Sequence, residues 1–182
     1  MLSQGPSFNP ERDVDLFLDA LAGVRGNSPI EARLLVALAR SVLESGWRIE
    51  IAQPDDCEMV VDDDGSMRGF RPPREERIAI AGHGGDVAVV GVFPQCRFGK
   101  YRVDFLASLI LPSDGGIAFG VIECDGHNFH ERTKEQAARD RGRDRWFTGI
   151  GMPFLRFTGS EIFASPGACA RGVLDYLKGA VR

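Results

Sequence analysis

A chain of 182 residues with 43% hydrophobic and 26% charged side chains has the make-up of one globular domain, long enough to need no disulfide scaffold. A net charge of −4 excludes a polycation, so a nucleic-acid partner would have to be held by a local basic surface. The four cysteines, Cys57, Cys96, Cys124 and Cys169, show no C-x-x-C spacing, which speaks against a zinc ribbon or dithiol motif and for reduced thiols in a cytoplasmic protein. Neither a signal peptide nor an apolar run of the ~20 residues needed for a membrane span is readable.

Residues 1–8 read as a loose tail. Asn9-Pro10 caps a first helix with Val14, Phe17, Leu18 and Leu21 on one face, broken over Gly23 to Asn27. Ser28-Pro29-Ile30-Glu31 combines an N-cap, a proline at N1 and a glutamate at N3, a capping box. The helix it opens should run to about Glu44 and bury Ile30, Leu34, Leu35, Leu38 and Val42, with Gly46 as its stop. The expected division is a tail and helix over 1–27 and a single domain over 28–182, within which 47–98 is a less regular β-rich region. Strand-like runs lie at 47–51, 57–61, 77–81 and 86–92. Asp62-Asp63-Asp64-Gly65 and Arg71-Pro72-Pro73-Arg74 between them read as turn and loop. The Asp run lacks the remaining spacing of a calcium loop.

From residue 100 the pattern sharpens. Residues 101–111 and 117–124 read as a hairpin around Pro-Ser-Asp-Gly-Gly at 112–116. A loop with His127 and His130 follows. Thr133 and Gln136 form a second capping box for a helix to about Thr148, and Gly149 and Gly151 end it. Phe154 to Phe157 is a short strand, and 166–179 the last helix.

Three carboxylates stand out on this hairpin. Glu123 and Asp125 share a strand face by alternation, about 6.6 Å apart in rise. Pairing 111 with 117 places Asp104 opposite Cys124, and a shift of one places it opposite Glu123 or Asp125; a shared face would make all three converge. Burying unpaired carboxylates is expensive, so they are either matched by cations or hold a metal. Converging oxygens suit Mg²⁺, which can activate water and polarise a phosphoryl oxygen. The bland alternative pairs Asp104 with Arg102 or Arg97 and leaves Asp125 as a turn residue before Gly126.

Tyr-Arg-Val-Asp-Phe at 101–105, Ile-Glu-Cys-Asp-Gly at 122–126, a following histidine, an Arg/Asp-rich helix and Phe-Leu-Arg-Phe at 154–157 together resemble the very-short-patch-repair-like branch of the PD-(D/E)XK nuclease superfamily. The resemblance covers residues 95–163 and reaches more weakly to the helix start at Ser28–Glu31. It implies an α/β protein with a restriction-endonuclease-like α/β/α core, a central mixed β-sheet flanked by helices. It also implies Mg²⁺-dependent phosphodiester cleavage, usually of DNA, with Mn²⁺ as an alternative ion. Asp104 takes the place of the first metal-binding aspartate and Glu123 that of the acidic residue in (D/E)-x-K. Asp125 stands where the lysine is expected, a departure shared by the repair-like branch, which carries a downstream histidine that His130 or His127 would match. Glu31 resembles the first-helix glutamate that approaches the metal, although N3 of a capping box favours glutamate in any case.

Either His130 or Lys134, flanking the helix start, could orient water or stabilise phosphate charge. The helix N-terminus also favours phosphate. Arg132, Arg139, Arg141 and Arg145 are candidate nucleic-acid contacts. The alternative is a solvated helix with Glu135–Arg139 and Asp140–Arg143 as ordinary surface pairs. Trp146 and Phe147 read as core anchors. Arg156 alternates with Leu155 and Phe157 along a buried strand, where an arginine needs an acidic partner or lies at the sheet edge; a structural role near the site is expected.

Two functions follow as expectations. The first is a Mg²⁺-dependent endonuclease acting on DNA, with Asp104, Glu123 and Asp125 at the metal. The second is a nuclease-fold module without catalysis that binds nucleic acid or a protein partner. A hydrolase built on Cys124 is disfavoured, because alternation turns Cys124 away from Glu123 and Asp125. No membrane partner is expected, and a homodimer is left open.

Overall fold

The computed structural model describes residues 10–62, 66–74, 77–82, 86–112, 115–126, 134–152 and 154–181. Helix α1 spans Pro10–Asn27 and runs through Gly23, where the sequence suggests a break. The two helices abut: the Ser28 amide still bonds to Val24 O at 2.8 Å, and the Ser28 hydroxyl accepts from the Glu31 amide at 3.4 Å to cap α2, Pro29–Glu44. One face of α2 is buried through Leu34, Leu35, Leu38 and Val42, as the helical period predicts, while Ile30 is only half-buried.

The strands are β1 (Arg48–Ala52), β2 (Glu58–Val61), β3 (Met67–Arg71), β4 (Ile78–Ala81), β5 (Val89–Pro94), β6 (Arg97–Phe98), β7 (Tyr101–Arg102), β8 (Phe105–Ile110), β9 (Ile117–Asp125) and β10 (Phe154–Thr158). The remaining helices are α3 (Lys134–Gly149), α4 (Gly159–Ala164) and α5 (Pro166–Ala180). Six strands form a mixed sheet in the order β10-β9-β8-β5-β1-β4, with β10 parallel to β9 and β1 parallel to β5. A separate four-stranded sheet has the order β3-β2-β6-β7. Strands β3 and β6 are absent from the sequence reading: the Arg-Pro-Pro-Arg loop hides the end of one, and the other has only two residues.

Alternation along β8 and β9 sorts side chains into two cores. Phe105, Ala107, Leu109, Ala118 and Ile122 join α1, α2 and α5 in one. Leu106 and Val121 join Phe98, Val103 and Phe147 in the other, beneath the small sheet and α3. The close approach of α5 to β9 uses Gly120, where a Cβ would meet the Tyr176 ring at 3.0 Å. The large sheet therefore has helices on one face and the small sheet with α3 on the other. No helix among the described residues is long and apolar enough to cross a membrane.

The hairpin register is one residue off the expected pairing. Ile110 faces Ile117 and Phe105 faces Ile122. Leu111 closes the loop through its amide to Gly116 O at 3.0 Å instead of extending the ladder. The continuous strand expected over 101–111 is broken at Val103-Asp104. Here Val103 bonds back to Cys96 O, and the Asp104 carbonyl receives the Gln95 amide.

Candidate functional site

The break before β8 places the Asp104 side chain beside the end of β9. Its Oδ2 accepts the Cys124 amide at 2.7 Å, so the carboxylate is oriented by backbone. Burial raises the Asp104 carboxyl, and the Asp125 charge adds to this; the Cys124 amide, Arg143 and Arg102 act in the opposite direction. Glu123 lies on the α3 side of β9, only 5% exposed. Its carboxyl is pushed up to about 8, first by burial and then by the Asp104 charge, against the pull of Arg143 and Arg156.

Glu31 completes the group from α2. Its carboxylate does not reach back to the Ser28 amide, which Val24 already satisfies, so the capping-box reading covers only half of its geometry. Instead Oε2 accepts from Gln95 Nε2 at 2.7 Å inside the protein. Its carboxyl is pushed up to about 7, by burial first and by Asp104 second. Gln95, 4% exposed, adopts a backbone φ of 54°, a region that a side chain with a Cβ enters at a cost of about 1–2 kcal/mol. Its amide also bonds Asp104 O at 2.8 Å, so one residue ties α2 to the break before β8.

Cations meet these acids from α3 and β10. Arg143 Nη2 contacts Glu123 Oε1 and donates to Arg102 O at 3.0 Å. Arg143 turns inward to this contact because it shares a helix face with buried Phe147 one turn on. Arg156 Nε stands 3.4 Å from Asp125 Oδ2, and its Nη2 donates to Asp144 Oδ1 at 2.9 Å. Asp125 is thereby tied into a strand-to-helix charge network. Arg102 pairs with Asp55 at 3.2 Å, not with Asp104.

The structure thus brings together Glu31, Asp104, Glu123 and Asp125. It adds Gln95, Arg143 and Asp144, none of which the sequence places at the site, and it sets Arg156, expected to have a structural role near the site, beside Asp125 from the edge strand β10. Arg143 carried a signal, namely a cation four residues before a buried aromatic, on the face turned to a strand bearing acids. Gln95 carried none. His127, His130 and Arg132 lie outside the described residues, as does the Lys134 side chain, although its backbone opens α3. Arg139, Arg141 and Arg145 are exposed. Arg139 lies one turn before Arg143 on the same side, whereas Arg141 and Arg145 lie on the opposite side of the helix. Cys124 packs toward the helical core, away from Glu123, and burial pushes its thiol well above the ordinary range, which leaves it ill suited as a nucleophile.

Among the described residues no group of three or more histidine, cysteine, aspartate or glutamate side chains is spaced to hold a metal ion together. Mg²⁺ asks for less, one or two carboxylates with water completing the octahedron. Asp104 and Glu123 fit that need: both are hard-oxygen donors, Glu123 buried and Asp104 half-buried, and the charge on Asp104 raises the Glu123 carboxyl, a repulsion that a divalent cation would relieve. Comparison of the chain with family models, curated proteins and solved structures gives no match.

Proposed function

We propose that this protein is a metal-dependent endonuclease with a restriction-endonuclease-like core, hydrolysing phosphodiester bonds in DNA. The observation that carries the reading is the gathering of Glu31 from α2, half-buried Asp104 from the break before β8 and Glu123 from β9, with the Asp104 charge raising the carboxyls of both glutamates beyond the effect of burial. Perturbed acids in such clusters are commoner at functional sites than elsewhere. Asp104 and Glu123 would hold Mg²⁺, or Mn²⁺ in its place, and the bound ion would supply an activated water and charge neutralisation at the phosphoryl group.

The chain's own residues carry the rest. The Cys124 amide fixes the Asp104 carboxylate. Glu31, with its carboxyl near 7, exchanges a proton readily at neutral pH and is suited to general acid–base work. Arg143, 22% exposed at the rim, presents a cation to the developing negative charge of a phosphate, the part that a lysine at the position of Asp125 would otherwise take. Arg156 and Asp144 hold Asp125 in place. His130, four residues before Lys134 in the chain, and Lys134 itself are further candidates for orienting water or stabilising phosphate charge.

The second reading, a binding module of the same fold without catalysis, is favoured by one observation: the contact of Arg143 already neutralises Glu123. Cleavage of supercoiled plasmid and of single-stranded DNA with Mg²⁺, Mn²⁺ or EDTA, by wild type, Asp104→Ala and Glu123→Ala, separates the two. Metal-dependent cleavage lost in both variants supports the nuclease. A folded wild type that binds DNA and cleaves neither substrate transfers the weight to the module.

A further inference from the structure

The small sheet that covers the second core has an outer face with its own charge pattern. Register aligns Arg71, Glu58, Arg97 and Arg102 in one row across β3, β2, β6 and β7. The neighbouring row, Phe70, Met59, Phe98 and Tyr101, is the apolar one that faces the core. Arg97 and Arg102 stand directly opposite each other in an antiparallel pair, an arrangement that like charges disfavour. The acid across from Arg97 is Glu58, and its carboxylate is engaged by Arg71 at 2.7 Å. Arg102 is matched by Asp55. Lys100 is exposed in the tight turn between β6 and β7, where Gly99 has a φ of 53°, with its Nζ 5.3 Å from the Tyr101 ring centroid. Along this row and its tip, Arg71, Arg97, Lys100 and Arg102 meet Glu58 and Asp55, an excess of cations on a chain whose net charge is −4.

This hairpin is joined to the site. Tyr101 packs on Trp146 and Phe147 of α3, with ring centroids 5.0 and 5.9 Å away. Arg143 bridges Arg102 O and Glu123. Asp104 follows two residues after Arg102. Arg139 continues the basic rim along α3.

We infer that the hairpin Arg97–Arg102 is a backbone-binding surface for nucleic acid, on which Arg97 and Lys100 contact phosphates flanking the bond presented to Asp104 and Glu123. The inference deepens the nuclease reading and rests on it for the position of the reacting bond, but the binding itself is separable. An anionic strand lying along the hairpin relieves the opposed Arg97 and Arg102 and releases its condensed counterions; a neutral or basic partner would do neither, and an acidic protein would do only the first.

The test is fluorescence anisotropy of a labelled duplex and of a single strand, titrated against salt in EDTA. The full-length chain would be used as wild type, Arg97→Gln, Lys100→Gln and the double variant. The double variant is expected to bind about tenfold more weakly, with a salt slope shallower by roughly two, one for each phosphate no longer neutralised. Arg97→Lys keeps the charge and should keep the slope. Arg40→Gln with Arg171→Gln, exposed cations on the helical side, serves as a charge-matched control and should change neither. Melting curves of the exposed-site variants would confirm folding. An unchanged slope in the double variant, a control that falls equally, or a wild type that binds neither strand form would overturn the inference. If the slope changes as expected but no metal supports cleavage, the hairpin surface stands and the nuclease reading falls. If metal-dependent cleavage is found with a hairpin-insensitive slope, the nuclease reading stands and the hairpin surface falls.

Discussion

Arg143 on α3 closes its guanidinium against the buried Glu123 carboxylate on β9, so the cation nearest the candidate metal ligand comes from a helix and not from the strand itself. This contact both satisfies Glu123 and competes with any ion that would use it. Above about pH 8, where Glu123 is ionised, removing its partner costs about 3–5 kcal/mol, because it strands the buried charge. Arg143→Gln should therefore lower the melting temperature in metal-free buffer. Added Mg²⁺ should raise the melting temperature of the variant by more than that of wild type, since a ligand that binds only the native state stabilises it. Differential scanning fluorimetry across a Mg²⁺ series measures both. An equal ion response in the two proteins would remove Glu123 from the metal site.

Stability should fall as pH rises through neutrality. Glu31 and Glu123 have folded pKa values near 7 and 8, above the ordinary 4.5, so the folded chain keeps protons that the unfolded chain has released. Stability from such raised acids is greatest below the unfolded value and declines between about pH 4.5 and 8. One pKa unit is worth about 1.4 kcal/mol, and about 1 kcal/mol moves the melting point of a chain this size by about 2–4 °C. Metal-free protein should thus melt several degrees higher at pH 5.5 than at pH 8.5. Glu31→Gln should flatten part of the slope. A wild-type profile that rises over this range would contradict the assignment.

Arg156 serves two acids of unequal exposure. Its contact with Asp144, itself 42% exposed, is worth ~0–1 kcal/mol, whereas Asp125 at 13% exposure depends on it more. Asp144→Asn should cost under about 1 kcal/mol in urea denaturation. Arg156→Gln should cost more, toward about 3 kcal/mol, since Asp125 loses a charge partner. Equal costs would mean that the Asp125 contact contributes nothing.

Gln95 separates backbone strain from the hydrogen bond it makes. Gln95→Ala leaves Glu31 without its amide donor, at about 1–3 kcal/mol, and keeps the left-handed backbone. Gln95→Gly loses the same donor but relaxes the φ of 54°, so it should be the more stable variant by about 1 kcal/mol. Chemical denaturation of the two compares them directly.

Local rules in the chain account for many of the elements. Ser28-Pro29 starts α2 where cap chemistry requires, Gly46 follows its end, and alternation along 117–125 sets Glu123 and Cys124 on opposite faces. These depend on hydrogen bonds and side-chain periods within a few residues, and so are visible in one dimension. The acids Asp104, Glu123 and Asp125 are legible too, because carboxylates among apolar strand residues are conspicuous, whereas Glu31 is legible only as the N3 residue of α2 and through the resemblance. The tertiary structure decided what neutralises them. The inward turn of Arg143, the bridge of Arg156 from Asp125 to Asp144, and the left-handed Gln95 under Glu31 join residues 12 to 64 positions apart. No local period encodes such contacts; they exist because packing α3 and the small sheet on β9 leaves buried charges that the nearest arginines must meet.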